Sequence, residues 1–147
     1  MKFIKFVLFL AVFVGFISHF YLKKQEINIL ADNIYFEARN STIEDQISVA
    51  LVTLNRVSST KYPAKVKDVV FQKGQFSWTV EYYKPNRDTK SWKKSYAIAE
   101  MVYKNYEYFK INDVCLHYDT YISNENNHWT RNIKKRTKIG KHIYFCD

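Results

Sequence analysis

Glycine and proline are nearly absent from this chain, with 3 Gly and 2 Pro among 147 residues. That scarcity excludes collagen-like and low-complexity character, and no glycine-rich phosphate loop occurs anywhere. Cysteine is almost as rare. Cys115 and Cys146 form no CxxC pair and cannot build a disulfide-scaffold fold. Neither HExxH nor GxSxG is present, so the short signatures of zinc proteases and of serine hydrolases are missing. Acids are outnumbered too, 14 against 23 Lys and Arg. What remains is ordinary for a chain that folds: 47% apolar and 25% charged residues, which excludes disorder as a description of the whole. The length suits one domain. Aromatic residues reach 18%, more than such a core needs, so some rings are expected to line a binding surface.

The net charge of +9 is unevenly spread. Lys2, Lys5, Lys23 and Lys24 belong to an acid-free segment 1–24, whereas residues 25–86 carry 7 basic and 7 acidic side chains. The remaining excess lies in residues 87–147, where Arg131, Lys134, Lys135, Arg136, Lys138 and Lys141 form an acid-free run. Such a run is either a solvated loop or a patch for a polyanion.

From Phe3 to Leu22 the chain reads FIKFVLFLAVFVGFISHFYL. Twenty largely apolar residues in a helix match the hydrocarbon core of a bilayer, and Lys2 and Lys5 supply the positive start of a secretory signal. Cleavage after Gly15 or Ser18 would place Phe13 or Phe16 at the −3 position, where a small residue is wanted. An uncleaved signal anchor over 1–24 is therefore expected, with residues 25–147 working outside the cytoplasm.

Within 25–147, Ile27, Leu30, Ala31, Ile34, Tyr35 and Ala38 follow the spacing of an amphipathic helix, with Asn28, Asp32 and Arg39 opposite. Ser41 and Glu44 read as a capping box for a second helix whose stripe is Ile47, Ala50, Leu51, Leu54 and Val57. Val66 to Phe71 is ambiguous between a helical turn and a strand. A further helix is expected from near Trp92 to Phe109. The pattern then alternates: Val114, Leu116 and Tyr118 face one way, Cys115, His117 and Asp119 the other. A second strand is expected at His142–Cys146 after a turn at Gly140. Helices first and a small sheet last predict an α+β domain.

Glu37 stands out chemically. At 100° per residue it lies about 20° from Leu30, on the border of the first apolar stripe. Partial desolvation there raises a carboxyl pKa toward values useful to a general acid. The bland alternative is a salt bridge at a helix edge with Arg39 or a distant Lys. His117, His128 and His142, with Glu37, form a competing set for zinc.

Three blocks resemble the SleB-type cell wall hydrolases. Residues 30–57, LADNIYFEARNSTIEDQISVALVTLNRV, resemble the opening helices, with the family's E-A-R and L-N-R-V segments. Residues 61–78 resemble the next block, ending in G-Q-F-S-W at Gly74 to Trp78. Residues 117–145 resemble the last, although Tyr118 stands where many members have His, and Asn124, Glu125, Asn126 and Asn127 replace the usual prolines. The resemblance implies a peptidoglycan-degrading domain with a fold related to lysozymes and lytic transglycosylases. It places the catalytic glutamate at Glu37.

On that resemblance, the expected reaction is cleavage between N-acetylmuramic acid and N-acetylglucosamine by Glu37 as acid and then base, through attack of the sugar's own 6-hydroxyl. Gln75, Ser77, Trp78 and Tyr118 are expected to flank the cleft as hydrogen bonders and stacking platforms. The basic run 131–141 would hold the domain to anionic wall polymers. Peptidoglycan and, through the anchor, the membrane are the expected partners; no cofactor, metal or nucleic acid is expected, and the chain is expected to be monomeric. Small size and an anchor suit a phage lysis enzyme better than a wall-remodelling one. The alternatives are a zinc-dependent amidase on the same wall and a non-catalytic, membrane-anchored basic protein. A Cys115–Cys146 disulfide is expected, since both cysteines lie in the carboxy-terminal sheet region of an extracytoplasmic domain.

Overall fold

A computed structural model of the chain describes residues 2–81, 83–109, 114–120 and 135–146. Helix α1 runs without interruption over Lys2–Ala38. The expected division near residue 24 is therefore no break in the backbone, because nothing between Phe16 and Ala38 is Gly or Pro. Its two halves differ in surroundings instead. Apolar side chains from Ile4 to Leu22 are exposed, whereas Ile27, Leu30, Ala31, Ile34 and Ala38 are buried.

The buried half of α1 is a post around which the other helices stand: α2 (Ile43–Ser58), α3 (Val66–Val70) and α4 (Lys90–Lys104) all pack on it. This encirclement changes the reading of its polar side. Asp32, expected to face water, is buried because α4 covers that face; Trp92 Nε1 donates to Oδ1 at 2.7 Å and Arg87 pairs with Oδ2 at 2.9 Å. Asn33 is buried as well, its amide donating to Thr53 Oγ1 at 3.2 Å.

α2 begins one residue later than the expected capping box. Thr42 is the N-cap and accepts from Asp45 N at 3.2 Å, a contribution of about 1 kcal/mol. Glu44 is exposed, and Ser41 Oγ donates to the Asp45 carboxylate instead. The ambiguous stretch at 66–71 is helical, as α3. The long helix expected to reach Phe109 is divided at Asn105, with α5 (Tyr106–Phe109) following. Asn105 leaves helical geometry and its side chain donates to Met101 O at 2.8 Å, satisfying one terminal carbonyl.

Three antiparallel strands close the fold: β1 (Cys115–Thr120), β2 (Lys135–Ile139) and β3 (His142–Cys146), in the order β1-β3-β2. β3 is central and its Tyr144, Phe145 and Cys146 are buried. Part of the basic run is thus a strand rather than a loop, and at a sheet edge its charges discourage pairing with another chain. Cys115 and Cys146 are register partners joined by a disulfide, as expected. The architecture is α+β, a helical body carrying a small sheet near its carboxy terminus.

Candidate active site

Glu37 lies in the last turn of α1, half-buried, where the helix meets the sheet. Burial raises its pKa above the ordinary glutamate value, and the charges of His142 and Lys141 and the Tyr118 hydroxyl only partly offset this. Arg39, a candidate ion-pair partner, instead lies over the Tyr35 ring, 4.7 Å from its centroid.

Tyr118 comes from β1. Its hydroxyl is buried and has no hydrogen-bond partner of ordinary geometry among the described residues. It stands near enough to Glu37 to perturb it, and its own pKa is pushed well up by burial and by the Glu37 charge. The Tyr118 ring packs edge-on to His142, 5.0 Å between centroids, and against Tyr144 at 5.6 Å.

His142 and Tyr144 are held by a carboxylate that sequence reasoning passes over. Asp45 is fully buried. Both of its oxygens lie 3.0 Å from His142 Nδ1, Tyr144 Oη donates to Oδ1 at 2.6 Å, and Lys141 N donates to Oδ2 at 3.3 Å. A carboxylate can only accept, so Nδ1 carries the hydrogen. Burial alone would raise the Asp45 pKa, but hydrogen bonds from His142, Ser41 and Tyr144 outweigh it and hold the pKa below the usual aspartate value. Gly140 makes this seating possible: its φ is 56°, and a Cβ there would come within 2.5 Å of Ser41 Oγ and 2.7 Å of Asp45 Oδ2.

A second buried charge braces β1. Arg56 Nε donates to Leu116 O at 2.7 Å, its Nη1 donates to Gln75 Oε1 at 2.8 Å, and its guanidinium lies over the Tyr62 ring. Tyr62 Oη in turn is 3.3 Å from His117 Nε2.

The expected site residues divide accordingly. Glu37 and Tyr118 come together. Gln75 is exposed, follows the left-handed turn at Gly74, and serves Arg56. Ser77 is exposed at the start of a short 3-10 turn, Ser77–Thr79. Trp78 is no platform: its indole is 7% exposed, stacked on Phe36 at 4.7 Å, with Nε1 donating to Asn33 Oδ1. Burial makes it a core post. Of the zinc candidates, His142 is bound to Asp45 and His117 faces Tyr62, while His128 lies outside the described residues, as do Arg131 and Lys134 of the basic run and the 124–129 segment. Arg136, Lys138 and Lys141 of that run are exposed on the β2–β3 hairpin.

The chain is similar in sequence and in fold to known proteins. It is 30% identical over 128 residues to the spore cortex-lytic enzyme of Bacillus subtilis, covering 83% of this chain and 37% of that enzyme. It is 29% identical over 126 residues to the spore cortex-lytic enzyme of Bacillus cereus, covering 84% and 44%. The chain thus spans less than half the length of these relatives. The catalytic domain of the germination-specific lytic transglycosylase SleB from Bacillus anthracis superposes with a TM-score of 0.64 at 26% identity, covering 82% of this chain and 93% of that domain. The catalytic domain of Bacillus cereus SleB gives 0.62 at 27% identity, covering 83% and 90%. A family profile described as Cell Wall Hydrolase matches residues 40–145. That match begins just after Glu37 and takes in Asp45, Arg56, Tyr118 and His142, the residues that hold the sheet against the end of α1. By that match, and by the SleB-like fold around it, the chain belongs to the cell wall hydrolase family.

Proposed function

We propose that this enzyme cleaves the glycan strand of peptidoglycan between N-acetylmuramic acid and N-acetylglucosamine as a lytic transglycosylase, with Glu37 as its general acid and base. The observation that carries the reading is the Glu37 carboxyl, raised in pKa by burial and facing the buried Tyr118 hydroxyl. Protonated Glu37 donates to the glycosidic oxygen, and the bond from C1 to that oxygen breaks. The 6-hydroxyl of the same muramic residue attacks C1 while its proton passes to the Glu37 carboxylate. A 1,6-anhydro end forms, no water is consumed, and Glu37 is again protonated.

Hydrolysing glycosidases commonly need a second carboxylate, as nucleophile or as base. Among the described residues, the groups that act on Glu37 are His142, Lys141 and Tyr118, and no carboxylate is among them. Asp45 is occupied by its donors, and Asp32 by Trp92 and Arg87. A single acid-base residue suits intramolecular attack. The Tyr118 hydroxyl, beside Glu37, can turn to donate to a sugar oxygen, and His142, fixed by Asp45, packs edge-on against the Tyr118 ring. The names of the relatives support this chemistry, since the solved domain with the same fold is a lytic transglycosylase.

We place the catalytic part outside the cytoplasmic membrane, held by the apolar half of α1. Exposed Arg136, Lys138 and Lys141 offer cations to anionic wall polymers.

Mass spectrometry of digested peptidoglycan tests the reaction. Anhydro-muramic ends, one water lighter than reducing ends, are expected, and activity is expected to survive EDTA. Freed stem peptides, or chelator-sensitive activity restored by zinc, would instead show an amidase.

A further inference from the structure

We infer that the chain carries a binding site for an anionic phospholipid headgroup, in the cleft where α1 leaves the membrane. The inference rests on reading residues 3–22 as a retained membrane span. The cleft has a volume of about 700 Å³ and is built from three parts of the chain. α1 contributes Tyr21, Lys24 and Asn28; α3 and its end contribute Lys67 and Phe71; the segment before α4 contributes Arg87.

Leu22 is the last apolar residue of the exposed run, so Tyr21 and Lys24 lie at the depth of the headgroups. Lys67, next to the Val66 that donates to Glu26, comes from far away in sequence to within about a turn of that level, while Arg87, paired with Asp32, stands about 15 Å beyond Leu22 along α1. Three cations face one carboxylate, Asp32, which is already engaged by Arg87 and Trp92. The pairing leaves Lys24 and Lys67 as the charges available to a ligand, with the Tyr21 hydroxyl and the Asn28 amide as further donors. Phe71 offers an apolar wall for the glycerol end. A phosphodiester with acyl chains running down beside the exposed half of α1 fits this combination of depth, charge and apolarity. The opposite flank of α1 carries Phe20, Lys23 and Lys104 beside Tyr103, but there Lys104 is paired with Glu100 at 2.8 Å. A wall polymer has the same phosphate chemistry, but the cleft lies at the membrane end of the domain, where lipid is the neighbour.

The test uses the full chain in nanodiscs of mixed phosphatidylcholine and phosphatidylglycerol, read by native mass spectrometry. Phosphatidylglycerol is expected to stay bound preferentially. Lys67→Gln is expected to lower that retention about fivefold, the effect of one cation near an anionic surface, and Lys24→Gln combined with Lys67→Gln further. Both side chains are exposed, and an unchanged circular dichroism melt is expected to show that the fold is intact. Equal retention of the two lipids would overturn the site, and so would a preference that survives both substitutions. A soluble polyglycerol phosphate that displaces the bound lipid at equal concentration would also overturn it, since the site would then be one for wall polymer. The mass of the chain recovered from host membranes separates this outcome from failure of the anchor: loss of the residues before Tyr21 would refute the retained span and, with it, the site.

Discussion

In the proposed reaction Glu37 is useful because it is badly solvated, and the consequences can be measured separately on activity and on stability. Glu37→Gln keeps the shape but has no proton to give, so wall degradation is expected to fall by roughly 10²–10⁴-fold. A folded-state pKa raised above the unfolded value means that ionising Glu37 costs more in the native protein. Its presence therefore lowers stability as pH rises through the interval between those two values. Glu37→Gln escapes that loss, and its Tm at neutral pH is expected to equal or exceed that of the wild type. A dead enzyme with a lowered Tm would point to a structural role instead. Tyr118→Phe makes a matching case. Its hydroxyl is buried and meets the Glu37 carboxyl in a contact short of ordinary hydrogen-bond geometry, so removing it gives up little stability. Activity is expected to drop while the melting temperature holds, and a clearly lower melting temperature would show that the hydroxyl serves the fold. Lys141 supplies a pH test. Its charge lowers the Glu37 pKa, so Lys141→Gln raises it. The acid form then persists to higher pH, and the alkaline limb of the kcat/KM profile is expected to move upward. A shift in the other direction would contradict the assignment of Glu37 as acid.

The β2–β3 hairpin is the element that assembles the site, and Gly140 is its narrowest point. A side chain at Gly140 meets both a left-handed φ and the Asp45 carboxylate at under 3 Å. Gly140→Ala is expected to cost about 1–3 kcal/mol through backbone strain and crowding, and to release His142 and Tyr144 from Asp45. Thermal melts and activity should fall together, and a fully active, equally stable variant would show that the hairpin does not seat the site. Much of this element is legible in the sequence, and some is not. The alternation at 114–119 and the apolar run at 142–146 announce β1 and β3, because a half-buried strand must put alternate residues inward. β2 has no such signal: Lys135, Arg136, Thr137 and Lys138 belong to an edge strand, and an edge tolerates charge on both faces. Glu37 can be found because the helical period itself exposes a carboxylate on an apolar border. Asp45 cannot, since its partners His142 and Tyr144 lie almost a hundred residues away and only tertiary packing brings them to it. Trp78 misleads for a related reason. An aromatic ring in a motif has the same letters whether it faces a substrate or, as here, Phe36 and Asn33.

Across the whole molecule, the two halves of one helix stand in different surroundings, and their energetics are separate. The half of α1 from Ile4 to Leu22 is exposed along its length, so its apolar surface contributes nothing to the fold in water. The half from Ile27 to Ala38 is the post of the domain. The join between them is marked by Glu26, whose Oε2 accepts from Val66 N at 2.9 Å and so caps the start of α3. That contact is the first from α1 that the domain would miss on shortening from the amino terminus. A chain beginning at Lys24 is therefore expected to be water-soluble and to melt within a few degrees of the full chain in detergent. A chain beginning at Asn28 loses the Glu26 contact and the buried Ile27 side chain, which together are worth about 2–4 kcal/mol. For a domain of about 120 residues, that loss lowers Tm by roughly 10–20 °C. Circular dichroism melts of the two truncations make the comparison. If the chain starting at Lys24 were unfolded, the apolar half of α1 would have to be part of the folding unit, and the division of the helix into anchor and post would be wrong.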